Sequence, residues 1–374
     1  MGTIRTLLAV AVALYHSFGI LAYDQVMTGG MVSVQTFYII SGFYMALILH
    51  DKYKPGPGSY RLFITNRFLR IFPVYWAFLV IVVLSCLIGQ LFFDQPFYFW
   101  YWTSQWAGLD WSTIAVFIFA NIFLFGSDWL LFSGVNRGTG KLELTADPFM
   151  YRPMAFQFLL IPQIWSVGIE LVFYLLAPLL LRAKWHFQLA VLLLSLGLRF
   201  FLYYRIDLHY DPWTYRFFPN ELAFFMAGSL AFKFYNWMKE KYLPPQFLFF
   251  IFVSVLACIC FYPQFDFVTD LQKPWIFYGF FLCALPFLFR FSGNNRIDRI
   301  IGELSFPVYI CHHLVMFIWR QYFWKHTAHM EWFGIVTALS SLAVAFLLYK
   351  MVMEPVEKIR QRRWKRQSPD ASPA

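Results

Sequence analysis

Long apolar segments recur along the whole chain and leave few folds open to it. Hydrophobic residues account for 60% of the 374 positions and charged residues for only 13%, which is more apolar surface than one water-soluble core needs. Eleven segments are candidate membrane helices, at residues 3–23, 29–50, 71–93, 112–133, 165–181, 186–204, 217–236, 246–262, 275–290, 304–324 and 332–352. The sequence therefore predicts an all-α, polytopic helical membrane protein.

The positions of Lys and Arg indicate how many segments cross the membrane. If residues 112–133 form a re-entrant or interfacial helix, ten crossings remain, and the loops on the side of both termini hold 21 Lys and Arg against 7 on the other side. Loops rich in these residues stay in the cytoplasm. We therefore predict about ten transmembrane helices with both termini cytoplasmic. The net charge of +10 then reflects topology and attraction to anionic membrane lipid, and no nucleic-acid partner is predicted.

The loops are too short for a second folded domain, except for the Trp-rich segment 94–164, which faces outward in this topology. This segment contains a turn at residues 136–140, and it can gather an acceptor substrate or simply cap the membrane interface. We predict a transmembrane domain over residues 1–357 and a basic cytoplasmic tail over 358–374 that is disordered at its end. The five cysteines lie inside apolar segments without framework spacing, so no disulfide bond is predicted.

Arg5 and His16 lie eleven residues apart in the first apolar segment. On a helix this spacing returns nearly to the same face, with the two side chains about 16 Å apart along the axis. Ionisable groups are costly inside a membrane, so each one is a candidate functional residue. A buried imidazole stays neutral and can accept a proton, which suits a general base, although a packing role for His16 fits the same position.

Arg67 and Arg70 lie three residues apart at the start of another apolar segment, followed by Tyr75. Paired guanidinium groups suit phosphate or pyrophosphate through forked hydrogen bonds, whereas the alternative is contact with lipid headgroups. Glu170 and Tyr174 share one helix face, as a carboxylate that orients a site partner would require. A structural salt bridge of Glu170 is the competing interpretation.

His312 and His313 are adjacent, so on a helix their side chains point about 100° apart. We expect one of them to line a cavity while the other packs, because both cannot easily serve one centre. Neither has a His or Glu companion at the spacing i, i+4, so no metal is predicted.

Five dispersed motifs, in order, resemble those of the acyltransferase-3 family of integral-membrane acyltransferases. They are Arg5 with His16; Phe37-Tyr38-Ile39-Ile40-Ser41-Gly42-Phe43; Arg67-Phe68-Leu69-Arg70-Ile71-Phe72-Pro73-Val74-Tyr75-Trp76; Trp165-Ser166-Val167-Gly168-Ile169-Glu170 with Phe173-Tyr174; and Ser305-Phe306-Pro307-Val308-Tyr309-Ile310-Cys311-His312. Two positions depart from the family pattern. Gln35 stands where many relatives have an acid, and Phe306 replaces the usual Tyr. No soluble hydrolase-like domain is expected after the membrane domain.

The resemblance implies acyl transfer in the bacterial inner membrane, from cytoplasmic acyl-CoA to a hydroxyl of an extracytoplasmic polysaccharide, lipopolysaccharide or glycolipid. Acetyl-CoA is the implied donor, and no metal is implied. The implied catalytic residues are His16 and Glu170. The implied donor-binding residues are Arg5, Arg67, Arg70 and Tyr75. The implied supporting or substrate-binding residues are Ser41, Trp165, Ser166, Tyr174, Tyr309 and His312.

Two other classes of protein fit part of the pattern. Buried His and Glu also form proton relays in transporters. Against a transporter, the arginines are predicted to lie on one side of the membrane, and the sequence shows no evident inverted repeats. A membrane scaffold of a polysaccharide-assembly complex would need no chemistry of its own. A homo-oligomer is compatible with the sequence.

Overall fold

The computed structural model describes residues 1–17, 27–93, 99–266, 268–293, 295–323 and 332–367. The α-helices in these ranges are α1 (Gly2–His16), α2 (Gly29–Asp51), α3 (Ser59–Phe93), α4 (Phe99–Gln105), α5 (Trp111–Phe123), α6 (Trp165–Leu181), α7 (Trp185–Arg205), α8 (Phe218–Met238), α9 (Pro245–Cys260), α10 (Lys273–Ser292), α11 (Arg296–Glu303), α12 (Ser305–Ile318), α13 (Phe333–Leu348) and α14 (Glu354–Gln367). Short π-helical segments extend α12 over Trp319–Phe323 and join α13 to α14 over Tyr349–Met353. The chain is therefore all-α, as predicted.

Seven helical spans in the described ranges are long and apolar enough to cross a membrane. They are Gly29–Asp51, Ser59–Phe93, Pro162–Leu181, Trp185–Arg205, Lys273–Ser292, Arg296–Tyr322 and Phe333–Trp364. The apolar helices α1, α5 and α9 are shorter. These spans confirm the prediction of a helical membrane protein, whereas the number of crossings and their direction stay predictions.

Helix α5 is too short to cross a bilayer as one regular helix. Its 13 residues rise about 20 Å, against a hydrocarbon core of about 30 Å. The Asp110 side chain caps the first turn by accepting a hydrogen bond from the Ser112 N–H at 3.0 Å. Leu124 ends the helix in the left-handed conformation, with φ of 63°. Helices α1 and α9 are also shorter than the hydrocarbon core, so the expectation that residues 112–133 do not cross stays a prediction.

Helix α3 begins twelve residues before the predicted segment 71–93, so residues 59–70, assigned to a loop from hydropathy, are helical. Hydropathy marks only the apolar part of a helix, whereas a helix satisfies its backbone hydrogen bonds whatever its side chains are. As a consequence, Arg67 and Arg70 lie on regular helix rather than in a loop. Pro73 lies inside α3 and removes one backbone donor there.

The described chain forms two compact units, each assembled from distant segments. The first unit contains residues 1–77, 177–188 and 225–374, and the second contains residues 78–176 and 189–224. Several helices, including α3 and α6, contribute to both. The sequence gives no sign of this division, because each unit is defined by contacts between segments far apart in the chain.

Two helices of the first unit cross with their backbones in contact. A Cβ added to Gly42 of α2 would lie 1.9 Å from the Phe225 carbonyl oxygen, and one added to Gly228 of α8 would lie 1.9 Å from the Ile39 carbonyl oxygen. Both glycines are therefore required by the close approach. The Ser41-Gly42-Phe43 motif accordingly contains a packing glycine.

In the second unit, two short strands form an antiparallel hairpin, β1 (Ser133–Val135) with β2 (Leu142–Leu144). The turn between them confirms the predicted turn at residues 136–140. The Asn136 side chain accepts a hydrogen bond from the Gly138 N–H at 2.9 Å, and Gly140 adopts φ of 68°.

A buried ion pair also lies in the second unit. Arg199 of α7 bonds to Glu221 of α8, donates to the Thr214 carbonyl oxygen at 2.8 Å and lies over the Phe224 ring. Glu221 is fully buried. These two buried charges neutralise each other, which gives them a structural role.

The five cysteines lie in the described ranges and form no disulfide bond with one another there. At the carboxyl end, residues 358–367 of the predicted tail are helical in α14, and residues 368–374 lie outside the described residues.

Candidate active site

Helix α1 is anchored at its amino end by the carboxylate of Asp298 in α11. That carboxylate accepts hydrogen bonds from the Gly2 and Thr3 N–H groups at 2.7 and 2.8 Å and from the Thr3 hydroxyl at 2.8 Å. An anion at this position satisfies donors that the helix cannot satisfy itself and complements its dipole. Gly2 and Gly302 lie backbone to backbone at the same contact. The position of α1 along its own axis is therefore fixed.

Arg5, one turn into α1, lies in a group of positive charges. Its guanidinium carbon is 5.9 Å from the centre of the Tyr44 ring. Nearby, Arg70 donates to both carboxylate oxygens of Glu303 at 2.9 and 3.1 Å. Glu303 is also within electrostatic range of Arg5 and of Arg360 in α14.

Helix α14 brings Arg360 to the same group by packing against the end of α2 and the start of α3. Arg363 donates to the Thr65 hydroxyl at 3.4 Å, and the Lys52 ammonium lies 5.6 Å from the Trp364 ring. Arg360 is 9% exposed, bonds to Glu357, and interacts electrostatically with Arg67 and Arg70. We name Arg5, Arg67, Arg70 and Arg360 the arginine cluster.

The predicted donor-binding arginines therefore belong to one region of the first unit, and sequence reasoning missed two members of that region. Glu303 lies two residues before the last family motif, and this proximity is the only local signal it gives. Arg360 belongs to a basic run that we interpreted only as a topological signal. Its nearness to Arg67 depends on how α14 packs.

His16, at the other end of α1, lies against two histidines of α12. The centre of its ring is 5.4 Å from that of His312 and 4.5 Å from that of His313. One nitrogen of each of the three rings lies within 4.8 Å of the others. We name these residues the imidazole cluster. We expected one of the adjacent histidines to line a cavity while the other packs. In the structure both rings lie near the ring of His16, because that ring occupies the space between the two diverging side chains.

His312 is fully buried, and its tautomer is fixed by a backbone contact. Its Nδ1 lies 2.8 Å from the Tyr309 carbonyl oxygen, which can only accept, so Nδ1 carries the proton. The Nε2 atom then holds a lone pair and has no hydrogen-bond partner among the described residues. The Tyr309 ring, whose centre is 6.0 Å from that of His312, borders the cluster.

Three other residues of the first unit are buried. Ser41 is 7% exposed beside the glycine crossing, and Tyr75 of α3 is fully buried. Gln35, which replaces the acid of many relatives, accepts a hydrogen bond from the Tyr278 hydroxyl at 2.5 Å. An acid is thus replaced by an amide that serves as a buried hydrogen-bond acceptor.

The residues of the Trp-Ser-x-x-x-Glu motif belong to the second unit. Trp165, Ser166 and Tyr174 of α6 are buried, and Glu170 is half-buried. The Ser166 hydroxyl donates to the Gln163 carbonyl oxygen at 3.2 Å. Gly168 in the same motif faces a loop, because a Cβ there would lie 2.6 Å from the Ser127 hydroxyl.

A cation lies over Trp165. The Arg216 guanidinium carbon is 4.4 Å from the centre of the indole ring. Both carboxylate oxygens of Asp211 hold this guanidinium, at 2.6 and 2.9 Å. Trp165 is therefore fixed by packing on a rigid ion pair.

The region around the hairpin of β1 and β2 in the second unit carries an open groove of about 500 Å³. It is lined by Val135, Asn136, Arg137, Glu143, Met150, Tyr151 and Arg152. Charged, amide and aromatic groups of this kind can contact a polar acceptor.

Comparison with known proteins gives one family. The acyltransferase-3 family model, described as "Acyltransferase domain", matches residues 2–350. Proteins of Staphylococcus aureus strains COL and MSSA476, each named "Putative O-acetyltransferase", are 23% identical over 390 residues, covering 97% of this chain and 58% of theirs. An "Uncharacterized protein" of Aquifex aeolicus is 25% identical over 206 residues, covering 54% of this chain and 89% of its own. The chain thus spans little more than half the length of the staphylococcal relatives. No solved structure matches it.

Proposed function

Since the chain belongs to the acyltransferase-3 family of membrane acyltransferases, we propose that it moves an acetyl group from cytoplasmic acetyl-CoA to a hydroxyl of an extracytoplasmic glycan or glycolipid. The observation that carries the proposal is that one continuous helix, α1, holds Arg5 in the arginine cluster and His16 in the imidazole cluster. The two residues are about 16 Å apart along the helix axis. A cofactor with phosphates at one end and a thioester at the other end of a flexible arm suits this arrangement.

The arginine cluster binds the CoA phosphates. Guanidinium groups form forked, charge-assisted hydrogen bonds with phosphate, and several of them match a ligand that carries several negative charges. Glu303 holds Arg70 in position through two hydrogen bonds before the donor arrives. Tyr75 supports this region of α3 from a buried position.

His16 acts as the general base. It takes the proton of the acceptor hydroxyl while the hydroxyl oxygen forms a bond to the acyl carbonyl carbon. The bond between that carbon and the CoA sulfur breaks, and the sulfur leaves with the electron pair and receives the proton. His312 packs beside His16, Tyr309 packs beside His312, and Ser41 supports the same unit through its place in α2. A histidine that accepts the acyl group itself would give ping-pong kinetics instead.

The family motif on α6 is the basis for assigning residues to the acceptor. Glu170, one turn from Tyr174 on α6, orients the acceptor or a site partner, and Trp165 and Ser166 support the start of that helix. The groove in the outward segment is a place for a polar acceptor to bind before transfer. This part of the proposal depends on the family motif.

Mass spectrometry of surface glycans tests the proposal, with cells that express the wild-type chain, His16→Ala or a matched control, His186→Ala. His186 is exposed in α7. We expect an acetyl mass on the glycan with the wild type and the control, and a turnover lower by about 10²–10⁴-fold with His16→Ala, since that is the usual contribution of a general base. Purified His16→Ala should still bind acetyl-CoA. Near-normal turnover of His16→Ala, or solute flux without acyl-CoA consumption, would contradict the proposal.

A further inference from the structure

The proposed reaction uses the lone pair of one histidine, yet three histidines meet at the same point. His16, His312 and His313 each offer one ring nitrogen, and these nitrogens lie within 4.8 Å of one another. The helix contact beneath them is tight, because Ala9, Val308 and Ala345 are fully buried in one cluster. Small side chains allow α1, α12 and α13 to approach closely, so the three rings are held near each other by the backbone.

The second observation is the unused nitrogen of His312. Its Nδ1 is committed to the Tyr309 carbonyl oxygen, so its Nε2 lone pair points into a fully buried space without a donor among the described residues. A buried acceptor without a partner destabilises the folded protein. A bound cation would remove that cost. The carbonyl contact is also the arrangement by which proteins orient a ligating imidazole, since it fixes the tautomer and makes the other nitrogen more basic.

The donor set indicates which cation. Three imidazoles without a carboxylate do not suit Mg²⁺ or Ca²⁺, which prefer oxygen ligands. Neutral imidazole suits Zn²⁺ and related transition-metal ions, and three histidines with an open fourth position form a common zinc site.

We propose that His16, His312 and His313 bind one divalent transition-metal ion, with Zn²⁺ as the best match and water in the fourth position. Nitrogens bonded to Zn²⁺ in tetrahedral geometry are about 3.3 Å apart, so the rings need to close by at most about 1.5 Å from the distances in the free protein. His313 and His16 are not fully buried, and rotation of their side chains supplies this movement. The site departs from the sequence prediction, which expected no metal.

Metal binding has a consequence that rests on the proposed function. A metal ion at this site takes the lone pair of His16, which is then unable to accept a proton from the acceptor. Zn²⁺ and acyl transfer therefore exclude each other, and Zn²⁺ is a reversible inhibitor. The binding itself does not depend on the reaction.

The test is metal binding by the purified full chain in detergent, without a polyhistidine tag. Equilibrium dialysis against Zn²⁺ followed by elemental analysis gives the stoichiometry, and the visible absorption of Co²⁺ in the same protein reports nitrogen ligation in a four-coordinate site. We expect one ion per chain. His312→Ala and His313→Ala should each weaken Zn²⁺ binding by more than about 100-fold. Mutating a residue that only hydrogen-bonds to a metal ligand already lowers metal affinity by about 10–100-fold.

His186→Ala is the matched control, because it removes an exposed histidine outside the cluster and should leave the affinity unchanged. Where His312→Ala fails to fold, His312→Asn keeps a polar group of similar size in the buried space. A wild-type chain that binds no Zn²⁺ or Co²⁺ overturns the proposal. So does Zn²⁺ binding that is equally strong in the His312 and His313 variants. If Zn²⁺ binds as expected but does not inhibit transfer, the metal site stands and the role of His16 as a base is wrong.

Discussion

A single guanidinium nitrogen of Arg70 donates to both carboxylate oxygens of Glu303, which lies 233 residues further along the chain. The contact joins α3 to the end of α11 at the centre of the arginine cluster. Both side chains are partly exposed, so the pair contributes little to stability. Its importance lies in the charge that Glu303 brings to a site proposed to bind phosphate.

The first prediction uses this pair. Arg70→Ala should weaken acetyl-CoA binding, whereas Glu303→Gln should strengthen it, because the carboxylate competes with phosphate for the arginines. Each change should be about fivefold, which corresponds to about 1 kcal/mol. Titration calorimetry with CoA measures both. Changes of the same sign in the two variants would show that Glu303 acts only by holding Arg70 in place.

The second prediction concerns α14, which lies beyond the part of the chain that matches the family. Arg360→Ala should raise the dissociation constant of acetyl-CoA about tenfold, because a charge-assisted hydrogen bond contributes about 1.5–3 kcal/mol. Arg362→Ala is the control, since it removes the same charge from an exposed position of the same helix. Equal effects in the two variants would mean that α14 acts only through its overall charge.

The third prediction concerns the glycine crossing. Gly42→Ala should destabilise the protein by about 1–3 kcal/mol, because the new methyl group would meet the Phe225 backbone. Gly279→Ala in α10 is the control. Its Cβ would meet nothing within 4 Å, so the change should be neutral or stabilising by up to about 1 kcal/mol. Thermal unfolding in detergent distinguishes the two variants, and equal melting temperatures would rule out the backbone contact.

The fourth prediction is a pH dependence of stability. Burial raises the pKa of Asp128 from its ordinary value of 3.8 to about 6, against the opposing effect of backbone hydrogen bonds. The folded chain therefore holds this proton more tightly than the unfolded chain. Stability from this group is greatest below about pH 4 and is lost as the pH rises to about 6.

Asp128→Asn should consequently stabilise the protein at neutral pH by up to about 3 kcal/mol, and this advantage should vanish near pH 4. Melting temperatures of wild type and variant across this pH range check it. Asp207→Asn is the control, because its side chain is 90% exposed. An advantage for Asp128→Asn that does not change with pH would point to a cause other than ionisation.

Hydropathy predicted the apolar helices well because it reports burial in lipid, which depends on local sequence. The segment 165–181 coincides with α6, and 186–204 falls within α7. The same signal missed residues 59–70 of α3, where charged side chains continue a helix beyond the apolar part. Motif order predicted the family, since five short patterns in one order rarely agree by chance.

The site was predicted less completely, because its members meet through tertiary packing. The contact of Arg363 with Thr65 joins residues 298 apart, and no local pattern reports it, so Arg360 was missed. His313 was set aside because it points away from His312 on the helix. The angle between adjacent side chains does not reveal that the ring of His16 fills the space between them. Gly42, in contrast, was recognised as part of a motif, but only the crossing with α8 explains why it is glycine.

The anchoring of α1 by Asp298 fixes the distance that this helix sets between the arginine cluster and the imidazole cluster. Since Arg5 and His16 belong to the same helix and its amino end is held by Asp298, the distance between them along the axis is set by backbone rise and does not change when neighbouring side chains move. Under the proposed function, this distance matches the flexible arm of the donor, which is identical in every CoA thioester. Selectivity between short and long acyl groups then depends on the side chains that surround the acyl group beyond the His16 ring. Substituting those side chains should change which acyl group is transferred without weakening the binding of CoA.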